Sequence, residues 1–142
     1  MTAELTFIDT NILLYAHDRS AGHKRDIASA LLSDLWGSRS GALSTQVLQE
    51  FYVNATRKLA KPLSAPRARA VIDRYSNWRV HHIEPGDIIA ASELEKRHRQ
   101  SFWDALIIVS AARVGAATVM TEDLQHGRRI AGLTITNPFA NT

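Results

Sequence analysis

The spacing of apolar residues along this chain switches repeatedly between the period of a strand and that of a helix, and this alternation restricts the fold more than any other feature. Leu5-Thr6-Phe7-Ile8 is a short β-type run. After Asp9-Thr10-Asn11, the run Ile12-Leu13-Leu14-Tyr15 reads as a short helix, and His23 to Trp36 sets Ile27, Leu31 and Leu35, with Ala28 and Leu32, on one helical face. Gly37 to Gly41 reads as a loop and Ala42-Leu43-Ser44 as a brief strand. From Thr45 the period is helical again, and after the prolines at 62 and 66 a second amphipathic helix carries Ala68, Val71, Ile72 and Tyr75. Val80 to Ile83 is expected to be a strand closed by Pro85-Gly86. Asp87 to Arg97 and Ser101 to Arg113 follow as helices, the second apolar nearly all round and so expected to be buried. Thr118 to Thr121 and Leu133 to Ile135 are the last strands. Strands alternating with helices predict an α/β fold, with a mostly parallel central sheet and helices on both faces.

The length of 142 residues suits one compact domain spanning 1–142, and no repeat or linker divides it. The longest apolar stretch, Ala105 to Ala112, is too short to span a bilayer, and Glu4 and Asp9 spoil a signal peptide. The expectation is therefore a cytoplasmic protein with no membrane contact. With no cysteine, a disulfide framework, a thiolate metal site and a cysteine nucleophile are all excluded. A net charge of +3 permits a nucleic-acid partner without requiring one.

In open parallel sheets, ligands bind beyond the carboxyl ends of the strands. Asp9 and Asp123 fall there by sequence, although each alone also reads as a turn or cap residue. Glu50 sits at the border of an apolar helical stripe, with no charged neighbour from Gly41 to Arg57 to account for it. Asp104 is the only acid in Ser101 to Val109; Ser101-x-x-Asp104 is a capping signature, yet an acid opening a buried helix is also held rigidly. If the four converged, their charge would need neutralising, and an all-oxygen donor set selects Mg²⁺ or Mn²⁺, ions that act on phosphodiesters.

Four segments in order, Phe7-Ile8-Asp9-Thr10-Asn11-Ile12-Leu13, Leu43-Ser44-Thr45-Gln46-Val47-Leu48-Gln49-Glu50-Phe51, Ser101-Phe102-Trp103-Asp104-Ala105-Leu106-Ile107 and Thr121-Glu122-Asp123-Leu124, make the chain resemble the PIN-domain family, and within it the VapC-type toxin ribonucleases of toxin–antitoxin pairs. The resemblance implies a three-layer α/β/α fold with an acidic pocket at the strand ends. It implies that Asp9, Glu50, Asp104 and Asp123 are the catalytic, metal-binding acids, with Asn11 and Thr121 orienting them. Ser44 matches a frequent family hydroxyl and reads better as a helix cap. Glu122 reads as an exposed turn acid rather than a further ligand. The implied reaction is cleavage of RNA by a water activated on Mg²⁺ or Mn²⁺, leaving a 5′-phosphate and a 3′-hydroxyl. The implied partners are an RNA substrate, a cognate antitoxin and a second copy of the chain.

Arg57, Lys58, Lys61, Arg97 and Arg99 are candidates for an RNA backbone path, against the alternative of ordinary solvated helix ends. The histidines have no metal-ligand spacing: His81 and His82 should point to opposite faces of a strand, while His17, His23, His98 and His126 have surface character. A catalytically silent PIN-like RNA- or protein-binding module is the alternative, opposed by the intact acids. A dehalogenase-type phosphatase needs an aspartate where Asn11 stands. A receiver-type Mg²⁺-binding signalling domain needs a late lysine, and none follows Lys96.

Overall fold

The computed structural model describes residues 4–140. The chain runs β1 (Leu5–Ile8), α1 (Thr10–Ala16), α2 (His23–Ser38), β2 (Gly41–Ser44), α3 (Thr45–Arg57), α4 (Ala65–Tyr75), β3 (Arg79–His81), α5 (Pro85–His98), α6 (Phe102–Arg113), β4 (Ala116–Met120), β5 (Arg129–Ile130) and β6 (Leu133–Thr136). The strands form one six-stranded sheet in the order β3-β2-β1-β4-β6-β5. Every pairing is parallel except β5 with β6.

Strand order and handedness together decide where a ligand can bind. From β1 to β2 to β3 the chain steps outward in one direction, and from β3 to β4 it returns across the sheet to the other side of β1. Right-handed crossovers then place α1 to α4 on one face and α5 and α6 on the other. In agreement, α1 packs on α2 and α3, α3 on α4, and α5 on α6. The direction reverses between β1 and β4, so the crevice opens where those two strands end.

Burial follows from the layers. Phe7 and Ile8 point to opposite faces of β1 and both are fully buried, as expected of a strand covered on two sides. All of β2 is buried. In α6, Ala105 to Ala111 are buried without interruption, because the helix lies between α5 and strands β2, β3, β4 and β6. Tyr75 is buried, with Trp36 and Trp78 stacked about it at ring separations of 4.8 to 5.3 Å. Among the described residues, no helix is long and apolar enough to cross a membrane.

Several boundaries differ from the sequence reading: the strand expected at Val80 to Ile83 is Arg79–His81, and that at Thr118 to Thr121 is Ala116–Met120. Gly37 lies inside α2, which runs on to Ser38 and ends on a left-handed Arg39 (φ 56°), while Gly41 opens β2. A side chain at Gly41 would meet the Trp78 ring at 2.5 Å, so close packing rather than turn geometry requires that glycine. Pro85-Gly86 does not close a strand but starts α5: Glu84 is the N-cap and Pro85 occupies the first turn, where its missing N–H costs nothing. The two-residue β5 leaves no periodic signal in the sequence.

Asp87, unremarkable in the sequence, is a buried acid that joins three elements. It accepts from the Glu84 amide (2.8 Å) and from Arg113 Nε on α6 (3.0 Å), and pairs with His81 Nε2 on β3 (2.7 Å). Desolvation pushes its carboxyl up, but the Glu84 amide, His81 and Arg113 together hold it below its ordinary value. A depressed acid stabilises the fold above its unfolded pKa and loses that contribution as pH falls through the folded one. Asp87→Ala is expected to cost about 2 kcal/mol at pH 7, the gap from wild type narrowing under acid, as urea unfolding at several pH values will measure.

Candidate functional site

The end of β1 delivers Asp9 into the crevice and α1 begins on it. The residue is the N-cap of that helix, with extended backbone (φ −80°, ψ 164°). Its amide donates to the Met120 carbonyl (2.9 Å), which ties the ends of β1 and β4 together. Its Oδ1 accepts from the Thr10 amide (2.7 Å) and its Oδ2 from the Thr121 hydroxyl (2.8 Å). Thr121, fully buried just beyond β4, also accepts from the Asp123 amide (3.1 Å). Asn11 completes the clamp from α1: its Nδ2 donates to Asp123 Oδ2 (3.0 Å) and its Oδ1 accepts from the Glu122 amide (3.3 Å). Both residues expected to orient the acids make direct hydrogen bonds to them.

Asp104 enters from the opposite face. Ser101 caps α6 by accepting a hydrogen bond from the Asp104 amide (3.1 Å), which fixes the first turn of a helix buried from Ala105 to Ala111. Asp9, Asp104 and Asp123 each bring a carboxylate oxygen within 4.8 Å of the others. These three, Glu50 and Asn11 line a single pocket of about 230 Å³.

Glu50 lies on the pocket's rim and is not one of that close triplet. Its Oε1 accepts from the Thr10 hydroxyl (2.7 Å), and Gln46 Nε2 stands 3.5 Å from its Oε2. The buried Gln46 also donates to the Trp103 carbonyl (3.2 Å), bridging α3 to the start of α6, and its Oε1 has no partner among the described residues. The sequence reading missed Thr10 and Gln46. The available signal was position, since Thr10 adjoins the first acid and Gln46 sits one helical turn before Glu50. Ser44 is fully buried and caps α3 through the Val47 amide (3.3 Å), as expected.

Glu122 differs from its reading as an exposed turn acid. Partly buried, it turns away from the pocket, accepts from Tyr15 Oη (2.5 Å) and pairs with Lys24, whose ammonium also lies over the Tyr15 and Phe139 rings. Burial raises its carboxyl, and Lys24 and Tyr15 outweigh that to hold it low. This contact pins the loop after β4 to α1 and α2. His17, expected on the surface, is half-buried edge-on against Phe51 at 5.7 Å. His82 is exposed and His81 is not, but His82 lies just beyond the end of β3 and not, as the sequence reading expects, on the opposite face of the strand. Arg57, Lys58, Lys61, Arg97 and Arg99 are all exposed. Of these, Arg57, Lys58, Arg97 and Arg99 end helices, and Lys58 alone borders a groove that joins the acid pocket.

The pocket is short of positive charge. Among the described residues, no ion pair involves Asp9, Glu50, Asp104 or Asp123. Burial pushes Asp9 up to about 7 against the Thr10 and Thr121 hydrogen bonds, with the charges of Asp123 and Glu50 adding to the rise. Burial likewise raises Asp104, opposed by Ser101 and reinforced by Asp123. Carboxylates held together against their own repulsion, with only oxygen donors, fit a hard divalent cation.

A family model for the PIN domain matches residues 6–132, so the chain belongs to the PIN-domain family. Solved structures share the fold at low identity. A toxin–antitoxin complex from Klebsiella pneumoniae is 20% identical, with 94% of this chain and 98% of that one covered and a TM-score of 0.71. A DNA-bound VapBC from Salmonella typhimurium is 20% identical over 96% and 99%, with a TM-score of 0.65. VapC20 of Mycobacterium tuberculosis, described as a toxin cleaving the sarcin–ricin loop, is 20% identical over 80% and 86%, with a TM-score of 0.60. A search of curated protein sequences gives no significant match.

An acid whose folded pKa is raised opposes folding: between about 3.8 and about 7 the unfolded chain ionises it and the folded chain keeps the proton. Asp9→Asn, which preserves the cap, is therefore expected to stabilise the protein in EDTA at pH 8 by on the order of 2 kcal/mol. The gain should shrink toward zero as pH falls to 4, measured as thermal midpoints of both proteins across that range.

Proposed function

We propose that the protein is a metal-dependent endoribonuclease, the toxin of a toxin–antitoxin pair. The observation that carries this reading is the convergence of Asp9, Asp104 and Asp123 at the crevice where the sheet reverses direction, in a chain of the PIN-domain family. The fold shared with VapC-type toxins from several bacteria supports it.

In this reading Asp9, Asp104 and Asp123 hold Mg²⁺ or Mn²⁺, and Glu50 completes the set of acids from the rim. A divalent cation bound there supplies Lewis acidity, lowering the pKa of a water and balancing charge on phosphate oxygens. The chain's own part is orientation. Thr121 and the Thr10 amide fix the two oxygens of Asp9, Asn11 fixes Asp123, and the Ser101 cap fixes the turn that carries Asp104. The Thr10 hydroxyl keeps Glu50 turned toward the pocket. RNA is the proposed substrate, a cognate antitoxin and a second copy of the chain are the proposed protein partners, and the cytoplasm is the proposed location. Arg57, Lys58, Lys61, Arg97 and Arg99 are proposed as weaker, backbone-level RNA contacts.

Asp104→Asn should lower RNA cleavage by at least about a hundredfold, since even residues that only support metal ligands are worth 10–100-fold, while the fold persists by circular dichroism. EDTA should stop the wild-type protein, with Mg²⁺ and Mn²⁺ compared for recovery. Each effective ion should raise the wild-type melting temperature and leave that of an Asp9/Asp104 double variant unchanged. Undiminished cleavage by Asp104→Asn would overturn the reading.

A further inference from the structure

Beside the acid pocket lies a second depression of about 410 Å³, between the outward face of α3 and Trp103 at the start of α6. Gln46, Glu50, Asn54 and Trp103 line both, so the two form one continuous trough. Trp103 is 61% exposed, the residue immediately before Asp104. Leaving an indole in water forfeits much of the burial energy it offers, and this one does not stand singly on the surface: it shares its groove with the exposed Val53, beside the acids. Its ring meets Phe102 edge-on at 5.2 Å, Phe102 packs against a small core shared by α5 and α6, and the Trp103 carbonyl accepts from Gln46, so the backbone beneath the ring is held.

Resting on the ribonuclease reading, we infer that Trp103, with Asn54 and Lys58 across the groove, forms a subsite that stacks the nucleobase flanking the scissile phosphodiester. A π-face serves any base and is sequence-tolerant, whereas the neighbouring amide of Gln49 and the Oδ1 of Asn54, whose Nδ2 donates to the Glu50 carbonyl (2.7 Å), can read a base edge. Lys58, exposed at the end of α3, supplies the charge that a following phosphate requires. An apolar peptide side chain fits less well, because Val53 is the only aliphatic residue in the walls. Trp103 thus lines both the acid pocket, where a bound cation would take the phosphate, and the groove beside it, where a base can lie.

The test uses the full chain and two fluorescein-labelled probes in EDTA, a mixed-sequence single-stranded RNA of twelve nucleotides and an abasic oligomer of the same length. Trp103→Ala should weaken binding of the first probe about tenfold and leave the abasic probe bound as before. Trp103→Phe should restore most of the loss, and Lys58→Ala should weaken both probes and flatten the salt dependence. In Mg²⁺ or Mn²⁺, Trp103→Ala should raise KM about tenfold with kcat within about twofold. A thermal midpoint unchanged from wild type will exclude misfolding. Cleavage by the wild type together with an indifferent Trp103→Ala overturns the subsite alone. Equal loss on both probes overturns base stacking, as does intact RNA binding with release of a co-purifying protein. Failure of the wild type to cleave any RNA overturns the ribonuclease reading, and the subsite with it.

Discussion

The parallel pairing of β1 with β4 is the constraint on which the rest depends. It joins residues more than a hundred positions apart, and its last rung, the Asp9 amide on the Met120 carbonyl, leaves both strands ending side by side. Backbone groups at the end of a buried strand must be satisfied, and here they are satisfied by the two segments that carry the acids. Asp9 and Asp123 face one another because of this pairing, with Thr121 hydrogen-bonded to both.

The same geometry stores electrostatic cost. Burial in the crevice, with neighbouring carboxylate charge adding to it, raises the proton affinity of Asp9, the most buried, and of Asp104. The surroundings keep the acids in place regardless. Hydrogen bonds donated by Thr10, Asn11 and Thr121 hold the carboxylates and the Ser101 cap holds the turn of Asp104, while α6 anchors that turn by burying its middle from Ala105 to Ala111. Stability is thus exchanged for a preorganised negative site, as in functional sites generally. Elsewhere the chain settles its acids conventionally: Asp87 has His81 and Arg113, and Glu122 has Lys24.

Glu122 and Asp123 show how finely that division is drawn. Adjacent in sequence, they turn opposite ways, one into a cation–aromatic contact with Lys24, Tyr15 and Phe139, the other into the pocket. The first braces the loop that presents the second. Trp103 and Asp104, adjacent at the start of α6, instead turn into the same pocket, one as an exposed ring and the other as an acid.

The sequence by itself determined the order of all strands and helices but β5, the buried character of α6, and which acids line the pocket. Those are local properties, written in apolar period and in the placement of charges where charges are costly. It misread Gly37, Pro85-Gly86 and Glu122, and left β5, Asp87, Thr10 and Gln46 unmarked, because each owes its role to a partner distant in the chain or to a turn whose conformation its neighbours impose. Only the tertiary structure decided that three acids meet closely while Glu50 stands at the rim, and that α3 and Trp103 extend the pocket into a trough. Period fixes which face of an element is buried. The meeting of side chains depends on strand order, crossover handedness and rotamer, which are set when the layers close around the sheet.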